Sequence, residues 1–540
     1  MVQHVRFRVA SAICLVTALL CSSAVNAAAP APVLHNDNPS ANFGDWYTGA
    51  VPPQASSDKP VILFVQGLHS NYTTWTKTDS YYDAAYNAGY RTAFVQLKDS
   101  DGTGGNMWTN GPKLAEVIKK VAAYYGVPKI NIIAHSKGGI DTQTALVHYG
   151  AAPYVNVVHQ LSTPNKGSEV ADMAYSSWTS WLAELLDKKD EAVYSLQTSY
   201  MATYRSQTDS RPENALTKTY MSGGEGDDGW FSSTWFAHAV LPGEDDGLVS
   251  VASAMGLPYG IPNFTKNISH SAMRNASQTW SLVKPKLALG AASASMASGS
   301  ALASENLPAR PGGAEENTSF ILRGGSLQGQ RVTETFPLES GLSNLVMDVL
   351  TASDQTKITL ISPSGVRHDL QPGKPEGDEE ALFAGAVHHN FSLERPEKGE
   401  WNLEMSGSGD AYFMLARPEG KIKGQIKSPR KLFRKGESAS VSVGFNGVKK
   451  WDAGGGTGGS KNKATLTRAG KTNAAHAIQK INELNVDTVK GDVQVNFQVP
   501  TEPGVYNLSF DINGLNERDE AVTRSVNYNF AVTDASGKLD

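Results

Sequence analysis

The sequence predicts an α/β domain built on a parallel sheet with a helical cap inserted, followed by two all-β, sandwich-like domains. Three observations carry this. Continuous apolar runs alternate with helix-period segments between residues 61 and 161. A longer helical stretch, residues 169–205, interrupts the alternation before it resumes near residue 218. From about residue 316 the texture becomes short β-branched or aromatic runs separated by turns.

The chain opens with Arg6 and Arg8, an apolar run from Val9 to Cys21, and small residues ending at Val25-Asn26-Ala27. This is the layout of a secretory signal, residues 1–27, cleaved after Ala27. The apolar run is too short for a mature membrane span. Lipidation of Cys21 is disfavoured by the bulky Leu20 before it. Both cysteines, Cys14 and Cys21, lie in this segment. The exported chain therefore has no disulfide, no zinc–thiolate site and no cysteine nucleophile, and is expected outside the cytoplasm, extracellular or periplasmic. A net charge of −5 gives no reason to expect nucleic acid or an anionic membrane as partner.

Residues 28–286 form the expected catalytic domain. Residues 28–58, rich in Ala, Pro and Asn, should drape over its surface. The runs Val61 to Val65, Thr92 to Leu97, Lys129 to Ala134 and Val155 to Leu161 are apolar enough for strands buried on both faces. Lys113 to Tyr125 has helical periodicity through Leu114, Val117, Ile118 and Val121. The helical stretch with Trp178, Trp181, Leu182, Leu185 and Leu186 reads either as a core helix pair or as a cap over an active site. Residues 287–315, rich in Ala, Ser, Gly and Pro, read as a linker. Residues 316–418 and 419–540 then read as two β-sandwich-like domains, the second Ig-like, with strands such as Thr356 to Ile361, Trp401 to Met405, Tyr412 to Ala416, Ser438 to Val443, Val505 to Phe510 and Val526 to Val532. A flexible linker would leave the catalytic domain independent of both; the alternative is that a sandwich packs on it, buries apolar surface and becomes part of the stable unit.

The strongest chemical signal is Ile132-Ile133-Ala134-His135-Ser136-Lys137-Gly138-Gly139. A buried strand delivers a serine to a sharp turn, and small residues flank it because that turn forces close backbone contacts. A serine hydroxyl needs a base, and the base a carboxylate, in the order Ser, acid, His. Gly243-Glu244-Asp245-Asp246-Gly247-Leu248-Val249 supplies the acids, and His270 is the last histidine before the linker. Asp245 and Asp246 both remain candidates on spacing alone.

Residues 60–285 resemble the secreted bacterial lipase and esterase branch of the α/β-hydrolases. The resemblance rests on the serine turn, on Asp246-Gly247-Leu248-Val249, and on Ser162-Thr163-Pro164-Asn165-Lys166-Gly167-Ser168. It departs from the usual pattern at Ala134, where a Gly is common, and at Gln66, where a His is common. It implies Ser136 as nucleophile, Asp246 as acid and His270 as base. The implied oxyanion donors are the backbone N–H of Lys137 and of Leu68, the latter in the turn Val65-Gln66-Gly67-Leu68-His69. His69 either packs in that loop or points into the site. Calcium-binding relatives place an Asp two residues after the catalytic His; here Ala272 stands there, so no metal is expected, and no cofactor. The acidic loops Asp99 to Gly105 and Glu225 to Asp228 either hold a cation or are solvated, and solvated loops are expected.

The expected function is hydrolysis of carboxylic esters or lipids through an acyl-Ser136 intermediate, the β domains contacting insoluble substrate or a cell surface. A polyester (polyhydroxyalkanoate-type) depolymerase and a non-enzymatic surface adhesion protein are the alternatives.

Overall fold

The computed structural model describes residues 28–287, save 38, 41, 187–189, 227–236 and 239, and residues 319–539, save 376–381, 428–429, 452–462, 472–477 and 490–491. The expected signal segment and all but Leu287 of the expected linker lie outside the described residues.

The first layer is an eight-stranded sheet of order β1-β2-β4-β3-β5-β6-β7-β8. Its centre is parallel: β3 (Ile62–Val65), β4 (Thr92–Val95), β5 (Ile130–His135), β6 (Val155–Leu161), β7 (Lys218–Gly224) and β8 (Ile261–Lys266). Every residue of β3, β4 and β5 is buried, as continuous apolar runs require. Residues 28–58 do more than drape: β1 (Val33–His35) and β2 (Trp46–Thr48) add an antiparallel edge.

Helices cover the sheet. They include α1 (Tyr81–Asn87), α2 (Met107–Tyr125) and α3 (Gly138–His148). The second of these begins at Met107 rather than Lys113, because the Asn106 carboxamide accepts from the N–H groups of Trp108 and Thr109 at 2.9 and 3.0 Å. It ends at Gly126, in the left-handed region with φ 62°. Between β6 and β7 lie four short helices, α4 (Glu169–Ala174), α5 (Ser180–Leu185), α6 (Glu191–Ser195) and α7 (Thr198–Thr208).

Two largely antiparallel β units follow. In the first, a four-stranded sheet of order β10-β15-β12-β13 faces another of order β14-β11-β16-β9. Its strands are β9 (Ile321–Gln328), β10 (Val332–Leu338), β11 (Asn344–Thr351), β12 (Lys357–Ile361), β13 (Arg367–Leu370), β14 (Val387–Glu394), β15 (Gly399–Ser406) and β16 (Ser408–Glu419). Phe336, Leu360, Trp401 and Met414 fill the space between the sheets. The second unit is one folded-over sheet of order β17-β19-β23-β22-β21-β24-β25-β18, with β20 (Val448–Trp451) paired to β24. The other members are β17 (Gly424–Ile426), β18 (Leu432–Arg434), β19 (Ser438–Phe445), β21 (Lys463–Ala469), β22 (Ile478–Val489), β23 (Asp492–Gln498), β24 (Gly504–Asn516) and β25 (Ala521–Thr533). Val441, Val495, Leu508 and Phe530 form its core.

The β units are not independent of the catalytic layer. Leu322, Leu350, Phe413, Val505 and Ala531 of the β units share one buried cluster with Leu68, Ile140, Tyr175, Leu182 and Tyr194. Polar contacts reinforce this core. Asn529 of β25 accepts from the Ser199 N–H at 3.0 Å and donates to the Gln197 carboxamide oxygen at 3.0 Å. Asn507 donates to the Tyr175 carbonyl at 3.2 Å. At Gly324 of β9 a Cβ would lie 1.8 Å from the Trp178 carbonyl oxygen, so only glycine lets that strand approach. The four helices between β6 and β7 are thus held between the parallel sheet and the β units, and the expectation of units joined only through a flexible linker is corrected.

Candidate active site

Ser136 stands at the end of β5 with φ 51°, a left-handed conformation that a serine adopts only where its surroundings enforce it. Its N–H donates to the Leu161 carbonyl at 2.9 Å. Two glycines make the turn possible. A Cβ at Gly138 would fall 2.2 Å from the Gln66 carbonyl oxygen, and one at Gly139 would fall 2.0 Å from Thr163 Oγ1. The serine turn therefore packs directly on the turn after β3 and on the segment after β6. These are two of the other stretches singled out in the sequence.

Asp246 and His270 are brought together. His270 Nδ1 donates to Asp246 Oδ2 at 2.9 Å, and the His270 N–H donates to the Asp246 carbonyl at 2.9 Å. The other carboxylate oxygen, Asp246 Oδ1, accepts from the N–H groups of Leu248 and Val249 at 3.1 and 2.8 Å. The Asp-Gly-Leu-Val pattern is thus a turn whose own backbone orients the acid. Burial would raise the Asp246 carboxyl; the His270 imidazole, the Ser162 hydroxyl and the Val249 N–H outweigh it and hold the group below the ordinary carboxylate range. Asp245 faces elsewhere. It pairs with His238 and accepts from the Gly247 N–H at 2.8 Å, and burial pushes its carboxyl up.

His135 connects this pair to the serine turn. Its Nε2 donates to the His270 carbonyl at 2.9 Å, and the two imidazole rings lie 4.7 Å apart. The order Ser, acid, His leaves no role as base for His135, and its place beside Ser136 is the only sequence signal for this supporting contact. Ser162, likewise at positive φ (50°), supports Asp246 and had no local signal beyond its segment.

On the other side of Ser136, Leu68 is buried in the cluster shared by the cap helices and the β units. His69 does not pack idly: its Nε2 meets Asp190 Oδ2 at 2.5 Å, and Asp190 also caps α6 through the Val193 N–H. The turn after β3 is thereby tied to the inserted helices. The Lys137 side chain is fully buried between Asp99 and Asp141. The expectation of a solvated loop at Asp99 is corrected: the carboxylate is drawn inward by the buried ammonium. Asp227 and Asp228 lie outside the described residues. Among the described residues, no cluster of three or more His, Cys, Asp or Glu side chains could hold a metal.

Ser136, Leu68, Asp246 and His270 are only 5, 4, 0 and 2% exposed, so all four sit within the packed interior of the site rather than on its surface.

A mostly parallel eight-stranded sheet, a serine at a strained strand-to-helix turn and a later Asp–His pair make this an α/β-hydrolase fold, carrying two all-β units behind it. Among solved structures it is similar to a lipase of Bacillus licheniformis, BlEst2, in its propeptide form: 24% identical, covering 92% of this chain and 99% of that one, with a TM-score of 0.70. The mature form of the same lipase is 35% identical and covers 46% of this chain and 100% of that one, with a TM-score of 0.43. No family model and no curated protein matches the chain.

Proposed function

We propose that the chain is an exported serine hydrolase that cleaves carboxylic esters. Ser136 attacks the acyl carbon, His270 takes the serine proton and returns it to the leaving alcohol, and Asp246 orients and charge-balances the imidazole. The N–H groups of Lys137 and Leu68 receive the oxyanion. Water then attacks the acyl-serine by the same proton route in reverse. The observation that carries this reading is the 2.9 Å His270–Asp246 contact set beside a serine at φ 51°. Ester chemistry, rather than another acyl transfer, is favoured by the whole-chain likeness to a lipase. The test is turnover on p-nitrophenyl esters of increasing chain length, triglyceride emulsions and polyester films, with Ser136→Ala beside the wild type. Turnover on the soluble esters that Ser136→Ala abolishes supports the reading. Equal measurable turnover by both proteins, or none by the wild type even after limited proteolysis, defeats it.

A second reading concerns the form of the enzyme. The four helices form a cap, and the β units clamp it over a buried site, so that the full chain is a latent form. The shared apolar cluster and the buried Asn529 contacts support this, as does the propeptide form of the lipase with the same whole-chain fold. Export fits such a form. Among the described residues no helix is long and apolar enough to cross a membrane.

A further inference from the structure

We propose that Lys137, Asp99 and Asp141 form a positioning unit for the oxyanion side of the site, fixing the backbone N–H of Lys137 and setting the charge against which the oxyanion develops. This rests on the assignment of Ser136 as nucleophile.

The unit is built from three elements. Lys137 Nζ donates to Asp99 Oδ2 at 3.0 Å and to Asp141 Oδ2 at 2.9 Å. Asn110 Nδ2 donates to the same two oxygens, at 2.7 and 3.1 Å. Asp99 sits on the 3-10 turn Lys98–Asp101 after β4, Asn110 on α2, and Lys137 and Asp141 at the start of α3. All four side chains are buried. Tyr204 of α7, hydrogen-bonded to Thr144, also faces Asp141.

An ionic set of this kind is poor at stabilising a fold, because well-packed apolar residues would do as well without the desolvation cost. What distinguishes it is place. Lys137 follows the nucleophile directly, and its side chain is fully buried and fastened by two carboxylates. The peptide N–H aimed at the oxyanion is fastened with it. The charge count matters as well. With all groups ionised, one ammonium and two carboxylates leave a net negative charge beside the developing oxyanion; one added proton makes the set neutral. Burial pushes Asp141 up to about 6, with Lys137 pulling the other way. As pH rises through that value the set gains negative charge and opposes the oxyanion.

The test is kcat and KM of the full chain on p-nitrophenyl acetate from pH 5 to 9, with Tm and the Ki of an aryl boronic acid measured alongside. The proteins are wild type, Asp141→Asn, Lys137→Met and Lys137→Arg. Lys137→Met should lower kcat by about 10- to 100-fold and weaken the tetrahedral boronate adduct in parallel, with KM within about threefold. Lys137→Arg should recover part of both. Asp141→Asn, which keeps the shape and removes the titration, should gain several-fold in kcat relative to wild type between pH 5 and pH 8. If Lys137→Met does not fold, the Asp141→Asn profile decides alone. A lowered Tm with unchanged kcat, boronate affinity and pH profile would make the unit mere packing and overturn the proposal. Ser136→Ala in the same assay separates the two failures: retained turnover there defeats the nucleophile assignment itself.

Discussion

Asn529→Ala measures how firmly the β units hold the cap. The Asn529 side chain accepts from the Ser199 N–H and donates to Gln197 Oε1, each at 3.0 Å, and reaches Asn507 Oδ1 at 3.2 Å. Asn529, Ser199 and Gln197 are all buried. Ser199 lies in the first turn of α7, where the N–H has no partner within the helix. Alanine would leave that donor and the Gln197 carboxamide oxygen unsatisfied, at about 1–3 kcal/mol each, so a loss of roughly 3 kcal/mol is expected after some water entry. At 1.4 kcal/mol per tenfold, that is about a 100-fold shift from docked to undocked β units. The assay is limited proteolysis of the full chain together with turnover of p-nitrophenyl butyrate. Faster cleavage and higher turnover are predicted, because the cap is released. Faster cleavage with lower turnover would refute the clamp and make the β units a structural part of the active enzyme.

Other outcomes follow from the site. Asp246→Asn should lower kcat by about 10⁴-fold, since it disturbs the His270 tautomer, whereas Asp245→Asn should cost far less because its partner is His238; steady-state kinetics on both variants decide, and the reverse ranking moves the catalytic acid by one residue. Gly138→Ala puts a Cβ 2.2 Å from a backbone oxygen, so thermal melting should show a loss of about 2–3 kcal/mol, and an unchanged Tm would mean that the serine turn is not tightly packed on the turn after β3. EDTA should leave Tm and turnover unchanged, because Ala272 offers no carboxylate and Asp99 is committed to Lys137; a loss restored by calcium would contradict this.

The central strands were legible because β3, β4, β5 and β6 are buried and must read as apolar runs. Ser136 was legible because the glycines after it have a steric reason that leaves a local pattern. Other elements carry no such pattern. β9 reads Ile-Leu-Arg-Gly-Gly-Ser-Leu-Gln, with Gly324 dictated by the distant Trp178 carbonyl, and β14 contains buried His388 and His389 that look like loop residues. Asp99 looked solvated because its partner is 38 positions away. The docking of the β units was invisible for the same reason: Asn529 and Ser199 are 330 residues apart, and local composition spoke only for a flexible linker.

The most direct test of the central claim is covalent. A fluorophosphonate probe added to the full chain, before and after limited proteolysis, should give one adduct by intact mass. Peptide mapping should place it on Ser136, with faster labelling after proteolysis and none in Ser136→Ala. Labelling at another residue, or no labelling of the folded protein in either state, would contradict the account.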